Sequence, residues 1–191
     1  MKLLFVLAFL LSTLTADFIA QDGYKKVSFK ASKNSQLNLA DFRRMPYLVL
    51  KNSSLKVIVS EKNFDVLNAH FRLVDIYPKK DYSLKAKQID KNTLELDLQS
   101  HKDTKVLQVF YDGVWNTVLL DKPMKILRNT FKNIDPTQKD LDVKQVQTLL
   151  KQARKAYPLD DKLKTLEMEI NNRAANEFNK TSNHMEQGII F

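Results

Sequence analysis

The stretch from Val106 to Leu120 reads VLQVFYDGVWNTVLL, two apolar runs separated by Asp112-Gly113. An Asp-Gly pair tolerates the positive φ angles of a type I′ turn, whose twist matches that of two paired strands. A two-residue loop at Asp112-Gly113 fixes the register: Tyr111 opposite Val114, Phe110 opposite Trp115, Val109 opposite Asn116, Gln108 opposite Thr117 and Leu107 opposite Val118. Because side chains alternate along a strand, one face then carries Leu107, Val109, Tyr111, Val114, Val118 and Leu120. The other carries Val106, Phe110, Trp115 and Leu119. A hairpin that is apolar on both faces needs cover on both. For the second face two possibilities stay open: the chain's own helices cover it, or Phe110 and Trp115 form an exposed anchor for a partner.

The region before the hairpin alternates in the same way. Val27, Phe29 and Ala31 form one set, Leu55, Val57 and Val59 a second, Ala69, Phe71 and Leu73 a third, and Tyr82, Leu84 and Ala86 a fourth. Thr93 to Gln99 places three leucines on one face, and Tyr47 to Leu50 is a short apolar run after Pro46. Strict alternation signals half-buried antiparallel strands. Polar clusters such as Lys51-Asn52-Ser53-Ser54 and Asp90-Lys91-Asn92 fit the reversals between them. The reading is an α+β chain: an antiparallel β-sandwich or meander barrel of about seven to eight strands, followed by a C-terminal helical hairpin.

The helical hairpin is inferred from a change of period after Pro123. Met124, Leu127 and Phe131 suit one face of a short helix; Val143, Val146, Leu150 and Ala153 suit a second; Leu163, Leu166, Ile170, Ala174 and Phe178 suit a third. Asp135-Pro136-Thr137-Gln138 has the pattern of a helix start, with Asp140 and Asp142 as later candidate caps. The second helix stops at Tyr157-Pro158, and Asp160 or Asp161 caps the third. The segment Ala153-Arg154-Lys155-Ala156-Tyr157-Pro158-Leu159-Asp160-Asp161 resembles the helix-to-helix junction of tetratricopeptide repeats. No second copy occurs at a spacing of about 34 residues, so the likeness implies a helical hairpin and not an array.

The N-terminus reads as an address. Lys2 precedes the apolar run Leu3 to Leu11, and Ser12-Thr13-Leu14-Thr15-Ala16 comes next, the order of a secretory leader. The run is shorter than the ~20 residues of a bilayer span. Cleavage is expected after Ala16 or Ala20. The expected organisation is a leader over residues 1–20, an antiparallel β-domain over 21–122, a helical region over 123–180 and a flexible tail over 181–191. The chain has no cysteine. An exported chain without disulfides points to a bacterial envelope, periplasmic or extracellular. The net charge is +9, spread along the chain, which favours weak contact with anionic surfaces and gives no specific nucleic-acid site.

Composition removes several chemistries. Three glycines, Gly23, Gly113 and Gly188, stand in 191 residues against a usual ~7%, and they are too far apart for a phosphate loop, a dinucleotide turn or a nucleophile elbow. The absence of cysteine removes thiolate metal sites. His70, His101 and His184 are too widely spaced for a metalloprotease helix. The pairs Asp140/Asp142, Asp160/Asp161 and Glu167/Glu169 are adjacent or two apart and read as caps or solvated surface. No catalytic residue, metal ligand or cofactor is therefore assigned, although a site drawn from His70, Asp75 and His101 is not excluded by spacing.

The expected role is a non-enzymatic binding or structural module of the cell envelope, meeting a protein partner through a sheet edge or the helical hairpin. The alternative is a small carrier whose barrel encloses an apolar small molecule, with Phe71, Tyr82, Phe110 and Trp115 lining it and the helices as a lid. A third reading is a hydrolase assembled from scattered residues. The C-terminal Gly188-Ile189-Ile190-Phe191 reads as part of a tail that is disordered or docked on its own domain, with capture by a carboxylate-binding domain or addition to a sheet edge as the alternative.

Overall fold

A computed structural model describes residues 16–61 and 64–187, with side chains described as far as Asn179. Ten strands form two five-stranded antiparallel sheets packed face to face, with helices at the C-terminal side. The strands are β1 (Phe18–Asp22), β2 (Lys25–Ser28), β3 (Lys30–Ser32), β4 (Ser54–Val59), β5 (His70–Asp75), β6 (Lys80–Leu84), β7 (Ala86–Asp90), β8 (Thr93–Asp97), β9 (Val106–Tyr111) and β10 (Val114–Leu119). The first sheet has the order β2-β1-β4-β8-β7 and the second β3-β10-β9-β5-β6.

The sheets share their edges. The chain passes from β2 to β3 through Phe29 and from β6 to β7 through Lys85, so each edge of the first sheet continues into an edge of the second. The result is a sandwich closed at both sides by bent strands. This arrangement explains the strand count. Val27-Phe29-Ala31 and Tyr82-Leu84-Ala86 each read as one alternating run, and each supplies two strands. β1 adds a strand in the stretch assigned to the leader. Tyr47 to Leu50, expected as a strand, makes only a single parallel bridge, Tyr47 with Leu119, flanked by Leu48 N–H donating to Leu119 O at 2.8 Å. The order is also not a simple meander, because β1 pairs with β4, β4 with β8 and β5 with β9.

The β9–β10 register is the one the Asp-Gly turn dictates, from Tyr111↔Val114 to Leu119↔Val106. Asp112 has φ 47° and Gly113 φ 74°, both left-handed. Between the sheets lies an apolar core built from the inward positions: Phe18, Ala20, Leu55, Val57, Phe71, Leu73, Leu94, Leu96, Leu107, Val109, Val118 and Leu120 are all buried. Phe18 is its aromatic centre, in edge contact with Phe29, Phe64, Phe71 and Tyr111 at centroid distances of 6.0, 5.9, 6.4 and 5.9 Å.

A second core lies on the outer side of the second sheet. There the 3-10 turn Leu39–Arg44 and the helices α1 (Pro123–Phe131), α2 (Val143–Ala156) and α3 (Asp161–Gln187) pack on Val74, Val106 and Leu119. α2 begins later than the Asp135-Pro136 pattern suggests. Asp135 closes a local turn by accepting from Thr137 N–H and Oγ1–H, and Asp142 caps the helix by accepting from Gln145 N–H at 2.9 Å. Asp160 caps α3, accepting from Leu163 N–H at 3.0 Å. α3 is longer than the expected hairpin arm, since its backbone stays helical to Gln187. Leu163 and Ile170 are buried against α2, whereas Phe178 is 71% exposed because α3 outruns its partner. Residues 1–15, the bulk of the expected leader, and the tail Gly188-Ile189-Ile190-Phe191 lie outside the described residues. Among the described residues no helix is long and apolar enough to cross a membrane.

Candidate functional site

The outward positions of the second sheet form three rows across its strands. The first row runs Ser32, Trp115, Phe110, His70; the second Lys30, Thr117, Gln108, Arg72, Ser83; the third Leu119, Val106, Val74, Asp81. The apolar residues of the third row are buried under the helices, at 0–4% exposure. The first row is not: Phe110 and Trp115 are half-buried and His70 exposed, and neither ring belongs to either apolar core. The chain's own helices therefore cover one end of this face and not the other. Helices cover Val106 and Leu119, and the aromatic pair stays open to one side.

The pair is held in place. Phe110 and Trp115 lie with centroids 5.0 Å apart at an interplanar angle of 39°. The Arg72 guanidinium sits over the indole, 4.1 Å from its centroid. Arg72 Nε–H and Nη2–H donate to Gln108 Oε1 at 3.0 and 2.7 Å, and Nη1–H donates to Asp81 Oδ2 at 2.7 Å. Gln108, 1% exposed, donates from Nε2 to Ser35 O at 3.0 Å and to Thr117 Oγ1 at 3.2 Å. The second row is therefore a polar lock between the helical cover and the open rings. It fixes Arg72, and Arg72 fixes the indole. Periodicity places Arg72 and Gln108 on the outer face, but nothing in their spacing announces that they bond to each other; the pairing emerges only once β5 is set beside β9.

Of the four ring positions grouped by sequence, only Phe110 and Trp115 meet. Phe71, 3% exposed, is part of the inner core. Tyr82 is also on the inner face, at the end of the sandwich, where its hydroxyl donates to Asp75 Oδ2 at 3.1 Å and its ring stacks on His101 at 4.2 Å. Accepting that proton, the Asp75 carboxylate holds the Tyr82 phenol above its ordinary value, with lesser contributions from burial and charge. A phenol shifted upward is protonated at neutral pH and is no general base. His70 lies on the outer face beside Phe110, away from this cluster, so the trio His70, Asp75 and His101 is not assembled.

A groove of about 770 Å³ runs between α1 and the end of the sandwich, past Asp75, Tyr77, Lys105, Asp121 and Asn129. Its charges are of both signs, and Asp121 is already paired with Lys125 at 2.6 Å. Among the described residues no group of three or more histidine, aspartate or glutamate side chains is placed to hold a metal ion. No protein-family model, curated protein or solved structure matches this chain, so its function must be argued from these residues themselves.

Proposed function

We propose that the chain is a non-enzymatic binding module of the cell envelope that docks an acidic protein partner on the Phe110–Trp115–Arg72 face. One observation carries the reading: two large rings and a stacked arginine stand outside both apolar cores, yet are ordered in advance by a buried hydrogen-bond lock. Tryptophan, tyrosine and arginine dominate the energetics of protein interfaces, and side chains ordered before binding lose less freedom on binding. Arg72, paired with Asp81, and Lys30 in the same row place basic side chains beside the rings, on a chain of net charge +9. That favours an acidic partner surface.

The other two interfaces considered for such a module have less in their favour. Every sheet edge is a strand of three to five residues that bends into the opposite sheet, which leaves little edge for an added strand. The exposed apolar residues of the helical hairpin, Leu159, Met168 and Phe178, are scattered. The carrier alternative would need an apolar space between the sheets, where Phe71, Leu73, Leu107 and Val109 pack at 0–3% exposure.

The test is native mass spectrometry of the tagged protein isolated from its host's extracytoplasmic fraction. A stoichiometric acidic protein is expected with the wild type and with Ile89→Ser, a change of an exposed residue on the far sheet. Phe110→Ala and Trp115→Ala, shown by circular dichroism to remain folded, are expected to lose it. Survival of the complex in both ring variants, or a bare wild-type chain, sinks the reading.

A further inference from the structure

The two cleavage positions compatible with the leader pattern, after Ala16 and after Ala20, leave different amounts of β1, and the fold depends on β1. This strand lies between β2 and β4 and is the only link between them in the first sheet. It pairs Ile19 with Ser28 and Ala20 with Val27 on one side. On the other it pairs Phe18 with Val59, Ile19 with Ile58, Ala20 with Val57 and Gln21 with Lys56. A chain beginning at Gln21 keeps only Gln21 and Asp22 of the strand. Its β2 and β4 would become unpaired edges facing a gap, each with a row of unsatisfied backbone groups.

The side chains argue the same way. Phe18 is 2% exposed and Ala20 0%. Removing Phe18 takes away the ring against which Phe29, Phe64, Phe71 and Tyr111 all pack. Among the described residues, a cut after Ala16 gives up only the methyl group of Ala16 from the inner core. It also preserves the join at the start of the strand. Asp17 N–H donates to Ser60 Oγ at 3.1 Å, and Ser60 N–H donates to Asp17 O at 3.1 Å. An ammonium at Asp17 retains a donor aimed at that hydroxyl.

We infer that a leader peptidase of the type that requires a small residue before the cut processes this chain between Ala16 and Asp17, so that the mature protein begins one residue before β1. Water adds across the Ala16–Asp17 amide, leaving a carboxylate on Ala16 and an ammonium on Asp17. The inference rests on the export reading but not on the partner.

The experiment is to express the full chain in an exporting bacterial host and determine the N-terminus of the product by top-down mass spectrometry. A first residue of Asp17 is expected. A product beginning at Gln21, or at any residue other than Asp17, overturns the assigned position while leaving export intact. A product that keeps Met1 and stays in the cytoplasm overturns the export reading itself. Ala16→Phe is expected to abolish processing, and unchanged processing of that variant refutes the site. Separately, a chain made to begin at Asp17 is expected to give a cooperative thermal transition and one made to begin at Gln21 none. Equal transitions would remove the structural ground for choosing between the two positions.

Discussion

Replacing Gln108 by leucine tests whether the polar lock holds the aromatic face. Leucine is apolar and one atom smaller, and makes none of the four hydrogen bonds of the amide. The bonds to Ser35 O and Thr117 Oγ1 are between neutral groups, and each contributes about 1 kcal/mol net. Thr117 is 5% exposed, so water cannot easily replace its partner. The two bonds from Arg72 are charge-assisted but share one acceptor, and Arg72 is 21% exposed on its side chain; together they contribute about 2 kcal/mol after discounting for solvent. The added apolar burial of leucine offsets about 1 kcal/mol. The net loss is about 3 kcal/mol. With a urea slope of about 2 kcal/mol/M for a domain of this size, the unfolding midpoint falls by about 1.5 M.

Trp115 is the sole tryptophan, so intrinsic fluorescence reports this face without background. Gln108→Leu should lower the midpoint and also raise acrylamide quenching of native Trp115, because Arg72 is released from the indole. The pair Gln108→Leu and Arg72→Ala should be strongly non-additive, the double variant losing less than the sum of the singles. A midpoint shift under about 0.5 M, or strict additivity, would show that Gln108 does not act through Arg72 and would refute the lock.

Other perturbations reach the rest of the structure. Gly113→Ala places a Cβ at φ 74° and should cost about 1–2 kcal/mol, read as a lower urea midpoint; an unchanged midpoint would contradict the turn geometry. Asp142→Ala removes the cap of α2 and should cost about 1 kcal/mol, with Asp142→Asn restoring most of it in a thermal melt. Burial pushes the Asp160 carboxyl up, but the hydrogen bond from Arg128 and those from the Leu163 and Lys162 amides outweigh it and hold the group below its ordinary value. Its contribution is therefore fully present above the unfolded value of about 3.9 and is lost as pH falls through the lower folded value. Stability measured from pH 5 downward should fall less steeply in Asp160→Asn than in the wild type, and parallel curves would refute the assignment.

How far the sequence exposed this fold depended on whether the deciding contact was local. The β9–β10 register was fully legible, because a turn needing positive φ at Asp112 and Gly113 leaves no freedom in how the two flanking strands pair. The junction at Tyr157-Pro158 was legible for the same reason, whereas Asp142 and Asp160 were each one of several candidate caps, and Asp135, the first of them, proved to close a turn instead. β1 was hidden because Phe18, Ile19 and Ala20 extend an apolar N-terminus and carry no alternation of their own within it. The two bends at Phe29 and Lys85 were hidden because in-and-out alternation continues unbroken through them: Val27 and Phe29, and likewise Tyr82, Leu84 and Ala86, all pack on the one inner core. Of the site, Phe110 and Trp115 were visible as a pair, but Arg72, Asp81 and Gln108 belong to strands whose adjacency is set by long-range pairing.

The division of the outer face into a covered and an open end has a geometric cause. Successive rows are two residues apart along a strand, about 7 Å, so Phe110 stands about 14 Å from Val106. The 3-10 turn and helices pack on Val74, Val106 and Leu119 in the third row. Gln108 lies in the second row, and its amide is satisfied on one side by the Ser35 carbonyl of the segment leading to the helical layer and on the other by Arg72. Beyond it stand Phe110 and Trp115, half-buried and outside both apolar cores. The two rings contribute less to folding than buried ones would, and the buried lock beside them serves no core. Under the proposed reading, the half-open surface of these two fixed rings is what an acidic partner would meet.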